Sequence, residues 1–436
     1  MRRPPRNLEI SFTDKAQTHF GGIYFFQEFL SLLQLRDRLT HSVKDSRPRT
    51  RYSIAQMLLA FVYPVILGLD RLEATHFLRS NGIFQYLTGL PRFPNPTTLR
   101  RFLYQATPDL REQLGRFNDR LAAALLQHPH RRSRLLLDLD STVLPVYGLQ
   151  EGARRAYNPK RKGARSYEPL ICVEALSGLL WAGAQRPGGN PGTDEVVPLL
   201  ERCWAVAPAS IRELRVRGDH SFYSDHTLRW LEDRRAQYAI VARLTAPLKR
   251  RITALRYRHV SSRWEVADTR YEAAGWTQKR RIIAVRKQLD PRDPQPTLFV
   301  RGRYGYHAYV TNLDLHPESV WHFYNDRARL ELVIKELKHD YALGQIPTRR
   351  FDANALYFEI LRLAYNLVIG FQTLCLPEAW HQATLSTIRA NFFMLPAVLA
   401  RPQGYPVLRI PGFLPVRPHI EAMMKKLDSL RRSPLW

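Results

Sequence analysis

Cysteine is scarce in this 436-residue sequence. The 3 Cys, at 172, 203 and 375, show no CxxC spacing, which argues against a disulfide framework or a structural zinc site and suits a reducing cytosol. The start, MRRPPRNLEI, lacks an apolar stretch, so no signal peptide is expected. The longest apolar run, Ile54–Leu69, covers 16 residues and is interrupted by Gln56, Pro64 and Gly68. It is too short to span a bilayer and reads as a core helix. No Gly-rich phosphate loop is present, so no nucleotide cofactor is expected. Acids are also in short supply. Asp and Glu number 39 against 66 Lys and Arg, a net charge of +27. A surface this basic seeks a polyanion, and nucleic acid is the usual one. Only 11 of the 66 cations are Lys. The arginine that dominates pairs bidentately with phosphate.

What is present reads as a soluble, multi-part α/β chain. Residues 1–130 are helical, with a cap at Ser53, a turn at Pro94-Asn95-Pro96 and a helix–turn–helix possible around 72–106; their charge suits DNA binding. From 131 to 243 the periodicity becomes strand, hairpin, helix, strand, helix, strand. Residues 244–305 read as an all-β insertion, and 306–396 return to helical segments, including a long helix Val320–Tyr341 and an apolar helix Asn354–Leu374. A Pro-rich tail with a short basic helix fills 397–436.

The sharpest chemical signal lies on the Val320–Tyr341 helix. At about 100° per residue, Tyr324, Arg327, Glu331, Lys335 and Lys338 fall within a stripe roughly 80° wide, and Leu330, Val333, Ile334 and Leu337 make the opposite, buried face. One carboxylate among cations can serve as a metal ligand beside phosphate contacts. It can equally be a solvated face with pairs such as Glu331–Lys335.

The spacing Tyr324-x2-Arg327-x3-Glu331-x6-Lys338 resembles the Y-R-E-K signature of insertion-sequence DDE transposases. Ile334-Lys-Glu-Leu-Lys338, Ala342-Leu-Gly344, Phe351-x-Ala-Asn354 and Ala364-Tyr-Asn366 resemble that group's third catalytic block. Asp140-Ser-Thr142 looks like the first block, and Gly218-Asp219-x-x-Phe222-Tyr223 like the second. Tyr157-Asn-Pro-Lys160 and Ser166-Tyr-x-Pro169 are similar to a stretch in the IS-thirteen-eighty subgroup of the IS-four-like superfamily. The likeness runs over roughly 130–370.

The resemblance implies an RNase H-like core with the β insertion between the second Asp and the Glu. It implies Asp140, Asp219 and Glu331 as catalytic ligands of two Mg²⁺ ions, with Mn²⁺ as a substitute, in two-metal phosphodiester chemistry. Tyr324, Arg327 and Lys338, with Lys335 on the same stripe, would contact DNA. The implied partners are the terminal inverted repeats and target DNA, bound by a homodimer, with no membrane, in the bacterial cytoplasm at the nucleoid. Two rival readings stay open: an RNase H-like nuclease without strand transfer, and a non-catalytic DNA-binding relative. Asp138 shares the strand face of Asp140 and competes with it as ligand, the Asp-Ser-Thr context favouring Asp140. Asp219 could instead cap the helix beginning near Ser224.

The stretch 154–165 holds Arg154, Arg155, Lys160, Arg161, Lys162 and Arg165 and no acid. Just after the Asp140 strand, Lys160, Arg161 and Lys162 are candidate DNA-backbone contacts. Tyr257, Trp264, Tyr271 and Trp276 populate the insertion. In the resembled group an insertion aromatic can stack on a flipped base; no motif says which one would, and packing of a small β core is the expected role of most of them.

Overall fold

The computed structural model describes residues 16–44, 51–128, 131–155, 163–189, 195–290 and 299–432. Its centre is a large mixed sheet. The strands are β1 (Arg134–Ser141), β2 (Leu170–Glu174), β3 (Leu180–Ala184), β4 (Glu213–Gly218), β5 (Gln237–Val241), β6 (Arg258–Ser261), β7 (Trp264–Tyr271), β8 (Arg280–Gln288), β9 (Phe299–Arg301) and β10 (Tyr304–Thr311). Their spatial order is β6-β7-β8-β10-β5-β4-β1-β2-β3, with β9 on β10. β1, β4 and β5 run parallel, and the other pairs are antiparallel. One face of β1 is wholly apolar, with Leu135, Leu137 and Leu139 fully buried, and the other carries Leu136, Asp138 and Asp140. The β2–β3 hairpin turns at Gly178, whose φ of +77° a side chain would resist. The strands at 258–301 join this sheet through β10, so the insertion lengthens the sheet.

The helices supply the second layer. They include α1 (Ile23–Leu32), α2 (Ile54–Ile66), α3 (Pro96–Tyr104), α4 (Pro108–Leu126), α5 (Val196–Ala205), α6 (Asp225–Asp233), α7 (Pro317–Asn325), α8 (Ala328–His339), α9 (Phe351–Cys375) and α10 (Arg417–Leu430). Ser53 opens α2 as expected, in a reciprocal capping box with Gln56. The cap of α4 is Thr107, with Asp109 inside the first turn. α9 is buried over most of its 25 residues, and side chains from α1–α4 and from the sheet form one continuous core with it. A small sheet of Gln17–Thr18, Ala397–Ala400 and Val407–Arg409 joins the two ends of the described chain.

α9 also closes the sheet's edge. Asn366 accepts from Leu180 N at 2.8 Å and donates to Leu180 O at 3.0 Å, so its amide stands in for a neighbouring strand. Fully buried Arg362 donates to Asp119 at 2.6 Å and to Leu180 O at 3.1 Å, and Arg202 grips the same Asp119 from α5 at 2.5 and 2.9 Å. Asn354 receives Thr348 Oγ1 at 2.9 Å and points its amide at the Tyr167 hydroxyl at 3.3 Å. The motif residues Asn354 and Asn366 therefore lock α9 to its neighbours. No helix among the described residues is long and apolar enough to cross a membrane.

One expected element divides in two. Val320–Tyr341 does not form one helix: α7 ends at Asn325, Asp326 and Arg327 make a turn, and α8 starts at Ala328. At the break Arg327 N bonds Tyr324 O at 3.0 Å and Leu330 N bonds Arg327 O at 2.9 Å, tight i→i−3 links in place of the helical i→i−4 pattern. The helical phase therefore does not carry from Tyr324 to Glu331. The buried face of α8 is nonetheless Leu330, Ile334 and Leu337, with Val333 partly buried.

Candidate active site

Two parallel strands bring the first two acids together. In the β1–β4 register Asp138 faces Arg217 and Leu139 faces Gly218, the last paired rung, and Asp140 and Asp219 come directly after it, near enough for the charge of Asp219 to act on Asp140. Adjacent strands lie about 4.8 Å apart, and the C-terminal ends of parallel strands are where open α/β sheets bind ligands. Gly218 is needed for packing. A Cβ there would come within 2.9 Å of the ring of buried Phe222, which closes over the strand end. Asp219 caps the short 3₁₀ turn His220–Phe222, accepting Ser221 N at 2.9 Å and the Ser221 hydroxyl, while Ser224 caps α6.

Asp138 and Asp140 differ in their surroundings. Asp138 is buried and holds Arg217 through two parallel bonds of 2.6 and 2.8 Å, and the same guanidinium reaches Phe323 O at 2.6 Å. Its oxygens are committed to the interior. Asp140 accepts Ser141 N at 2.8 Å and meets Arg327 Nη2 at 3.0 Å. Burial, with the neighbouring charge of Asp219, raises Asp140 to about 6, against the lowering pull of Arg327.

Arg327 turns inward. Its side chain is buried and also donates to Leu139 O at 2.7 and 3.3 Å, which draws the turn down onto β1 and breaks the helix. Tyr324 packs against Tyr309 with ring centres 4.5 Å apart, and burial pushes its phenol up to about 12. Lys338 donates to Val143 O at 3.3 Å, three residues past Asp140. Glu331 and Lys335 are exposed. The expected shared stripe is thus divided: Arg327, Tyr324 and Lys338 lean onto the strand end, and Glu331 and Lys335 face outward. Lys160, Arg161 and Lys162 lie outside the described residues.

Among the described residues no three His, Cys, Asp or Glu side chains gather closely enough to hold a metal ion. Asp140 and Asp219 come together, and Glu331 stands apart from them. Its backbone is nevertheless bracketed along α8 by Arg327 and Lys338, both of which touch the 139–143 segment. Two hard carboxylates at neighbouring strand ends, one of them with a pKa raised by burial and by the charge of the other, fit a divalent cation. Arg327 supplies the positive charge there.

Sequence reasoning missed three residues of this neighbourhood. Arg217 was detectable, two residues before Asp219 and so on the face of Asp138. Glu168, which receives the Ser141 hydroxyl at 3.4 Å, and Arg186, whose Nε bonds Glu168 O at 3.0 Å, carried no such signal. The insertion aromatics are engaged locally. Trp264 packs on Trp321 at 5.0 Å, Trp276 on Tyr223 at 5.2 Å and on Tyr271 at 6.4 Å, and Tyr257 on Tyr306 at 6.1 Å.

This chain belongs to the family described as Transposase DDE domain group 1, whose model matches residues 3–432. DDE transposases in general use divalent metal ions. No curated protein gives a significant match. Among solved structures, a cryo-EM piggyBac transposase synaptic complex with hairpin DNA is similar at a TM-score of 0.44 and 11% identity, over 97% of this chain and 84% of that one.

Proposed function

We propose that this member of the family is an insertion-sequence transposase of the Y-R-E-K group, in the IS-thirteen-eighty subgroup. It cuts DNA at terminal inverted repeats and joins the 3′ ends to a target, as a homodimer, at the nucleoid of a bacterial cytoplasm. The observation that carries this is the Asp140–Asp219 pair at the ends of two parallel strands, with the Tyr324–Lys338 segment folded over it. A meander β1-β2-β3 joined on its first strand by parallel β4 and β5 supports an RNase H-like core. The net charge of +27 supports a DNA partner.

In this reading Asp140, Asp219 and Glu331 would hold Mg²⁺. Bound divalent ions would stabilise charge on the attacking and leaving oxygens of the phosphodiester. The chain's own residues do the rest. Asp138 and Arg217 fix β1 against β4, Gly218 and Phe222 shape the strand end, and Ser221 orients Asp219. Arg327 neutralises Asp140 until a DNA phosphate draws its guanidinium away, and Tyr324, Lys335 and Lys338 face the DNA backbone. Lys160, Arg161 and Lys162 add phosphate contacts, and residues 1–130 recognise the ends.

Cleavage and joining with paired end-containing DNA in Mg²⁺ test this. Asp140→Asn, Asp219→Asn and Glu331→Gln should each abolish cleavage while DNA binding survives. Cleaved ends without joined products would indicate the nuclease reading instead. Cleavage by Asp140→Asn, with loss in a folded Asp138→Asn, would put the wrong acid in the site.

A further inference from the structure

Beyond the catalytic pair, the end of β3 opens into a cavity of about 430 Å³. Arg111, Gln185, Arg186, Glu195, Arg202 and Glu359 line it, and neither Asp140 nor Asp219 does. Most of its charges are committed. Arg202 is bound twice to Asp119, Arg111 lies 3.5 Å from Asp352, and Glu359 accepts Asn118 at 2.8 Å. Glu112, also in the wall, pairs with Arg116 at 3.3 Å.

Arg186 is the exception. It is 4% exposed, and only its Nε is hydrogen-bonded, to Glu168 O. Neither Nη1 nor Nη2 has a hydrogen-bond partner, and the buried Nε2 of Gln185 beside it also lacks one. Glu195 forms an ion pair with Nη1 at 3.5 Å, as Asp352 does with Arg111, and its side chain is 56% exposed at the cavity mouth, so Nη2 is the nitrogen left without a partner. A buried guanidinium whose Nη2 is unpartnered and whose Nη1 has one exposed carboxylate is costly, and an anion that accepts from both offsets the cost. Burial lowers the Arg186 pKa, against the raising pull of Glu195, Glu168 and Asp219.

We propose that this cavity is a phosphate-binding site, in which Arg186 and Gln185 grip a backbone phosphate of DNA lying next to the strand held at Asp140 and Asp219. The proposal rests on the reading of that pair as acting on DNA. Glu195 stands where the phosphate enters and competes with it for Arg186.

The test uses the full chain, a duplex oligonucleotide and, separately, inorganic phosphate. For Arg186→Gln, the slope of log affinity against log salt should flatten by about 0.9, one phosphate contact. Phosphate should raise the melting temperature of wild type and leave that of Arg186→Gln unmoved. Glu195→Gln should bind the duplex more tightly, an effect opposite in sign that no loss of fold would produce. It also serves as the test if Arg186→Gln fails to fold. An unchanged slope in folded Arg186→Gln, or unchanged affinity in Glu195→Gln, would overturn the proposal. A phosphate response with an unchanged DNA slope would show a free-anion site and overturn the DNA assignment. Cleavage by Asp140→Asn would refute the reading of the pair on its own, because the salt slope does not depend on chemistry.

Discussion

Two acid–arginine pairs sit two residues apart on the same strand and have opposite characters. Asp138–Arg217 lies in register across β1 and β4, buried on both sides, with two parallel bonds. Asp140–Arg327 lies at the strand end, with one contact, a carboxyl 18% exposed, and a partner that comes from a turn between helices. The first pair has satisfied itself and serves the fold. The second holds an acid whose pKa is raised by burial and by the charge of Asp219, and it rests on a single guanidinium contact. A carboxylate becomes available for chemistry where the scaffold stops completing its bonds, here within a single strand.

The largest effect that could break this comparison is on stability. Asp138→Asn leaves Arg217 buried without its counter-charge, which should cost about 3–5 kcal/mol. Asp140→Asn should cost nothing at pH 7, since the amide oxygen can still meet Arg327 and the raised pKa of Asp140 shows its charged form to be disfavoured there. Urea unfolding of the two variants measures this directly. Equal losses would mean that both pairs are structural.

A second, smaller effect follows from protonation. Asp140 in the folded protein is raised to about 6, above roughly 3.9 for an unfolded aspartate. Between these values the folded chain holds more protons than the unfolded one. The contribution is therefore fully present below about pH 4 and is lost as pH rises through about 6. Allowing for partial exposure, it amounts to roughly 2 kcal/mol. Wild type, in chelator, should lose that much stability relative to Asp140→Asn between pH 4 and 7. Burial raises Asp138 as well, but both proteins retain it, so the difference isolates Asp140. Parallel stability curves would show that the pKa of Asp140 is not raised.

Much of this site was legible in the sequence because strands announce their ends. Asp140 before Ser-Thr, and Asp219 after a Gly and before aromatics, stand where a strand must stop, and the register then sets them side by side. The buried face of α8 was legible for the same reason of local periodicity. The inward turn of Arg327 was not. It depends on a carbonyl 188 residues away, at Leu139, and a helical wheel assumes an unbroken helix. Arg186 follows a hairpin in a stretch without periodicity, and its unpartnered Nη2 exists only in three dimensions. The strands at 258–301 were recognisable as strands, but their joining the central sheet through β10 rests on pairing between distant segments.

The smallest effect sharpens the comparison most. If Arg327 occupies the place of a cation beside Asp140, it competes with a divalent ion for that carboxylate. Arg327→Gln keeps a donor for Leu139 O and removes the charge. Mn²⁺ affinity, followed by electron paramagnetic resonance or calorimetry in the absence of DNA, should then rise about tenfold, or roughly 1.4 kcal/mol. Two terms oppose each other in this variant. Losing a positive charge a few ångströms from the ion favours binding, and loosening the turn that carries α8 disfavours it. The electrostatic term should win, because Asp140 and Asp219 are fixed by β1 and β4 rather than by the turn. Arg217→Gln supplies the contrast: it disturbs the inner pair, should weaken the fold, and should not tighten Mn²⁺ binding. Affinity unchanged in Arg327→Gln would show that the guanidinium does not hold the metal position, and the distinction between the two pairs would reduce to one of burial.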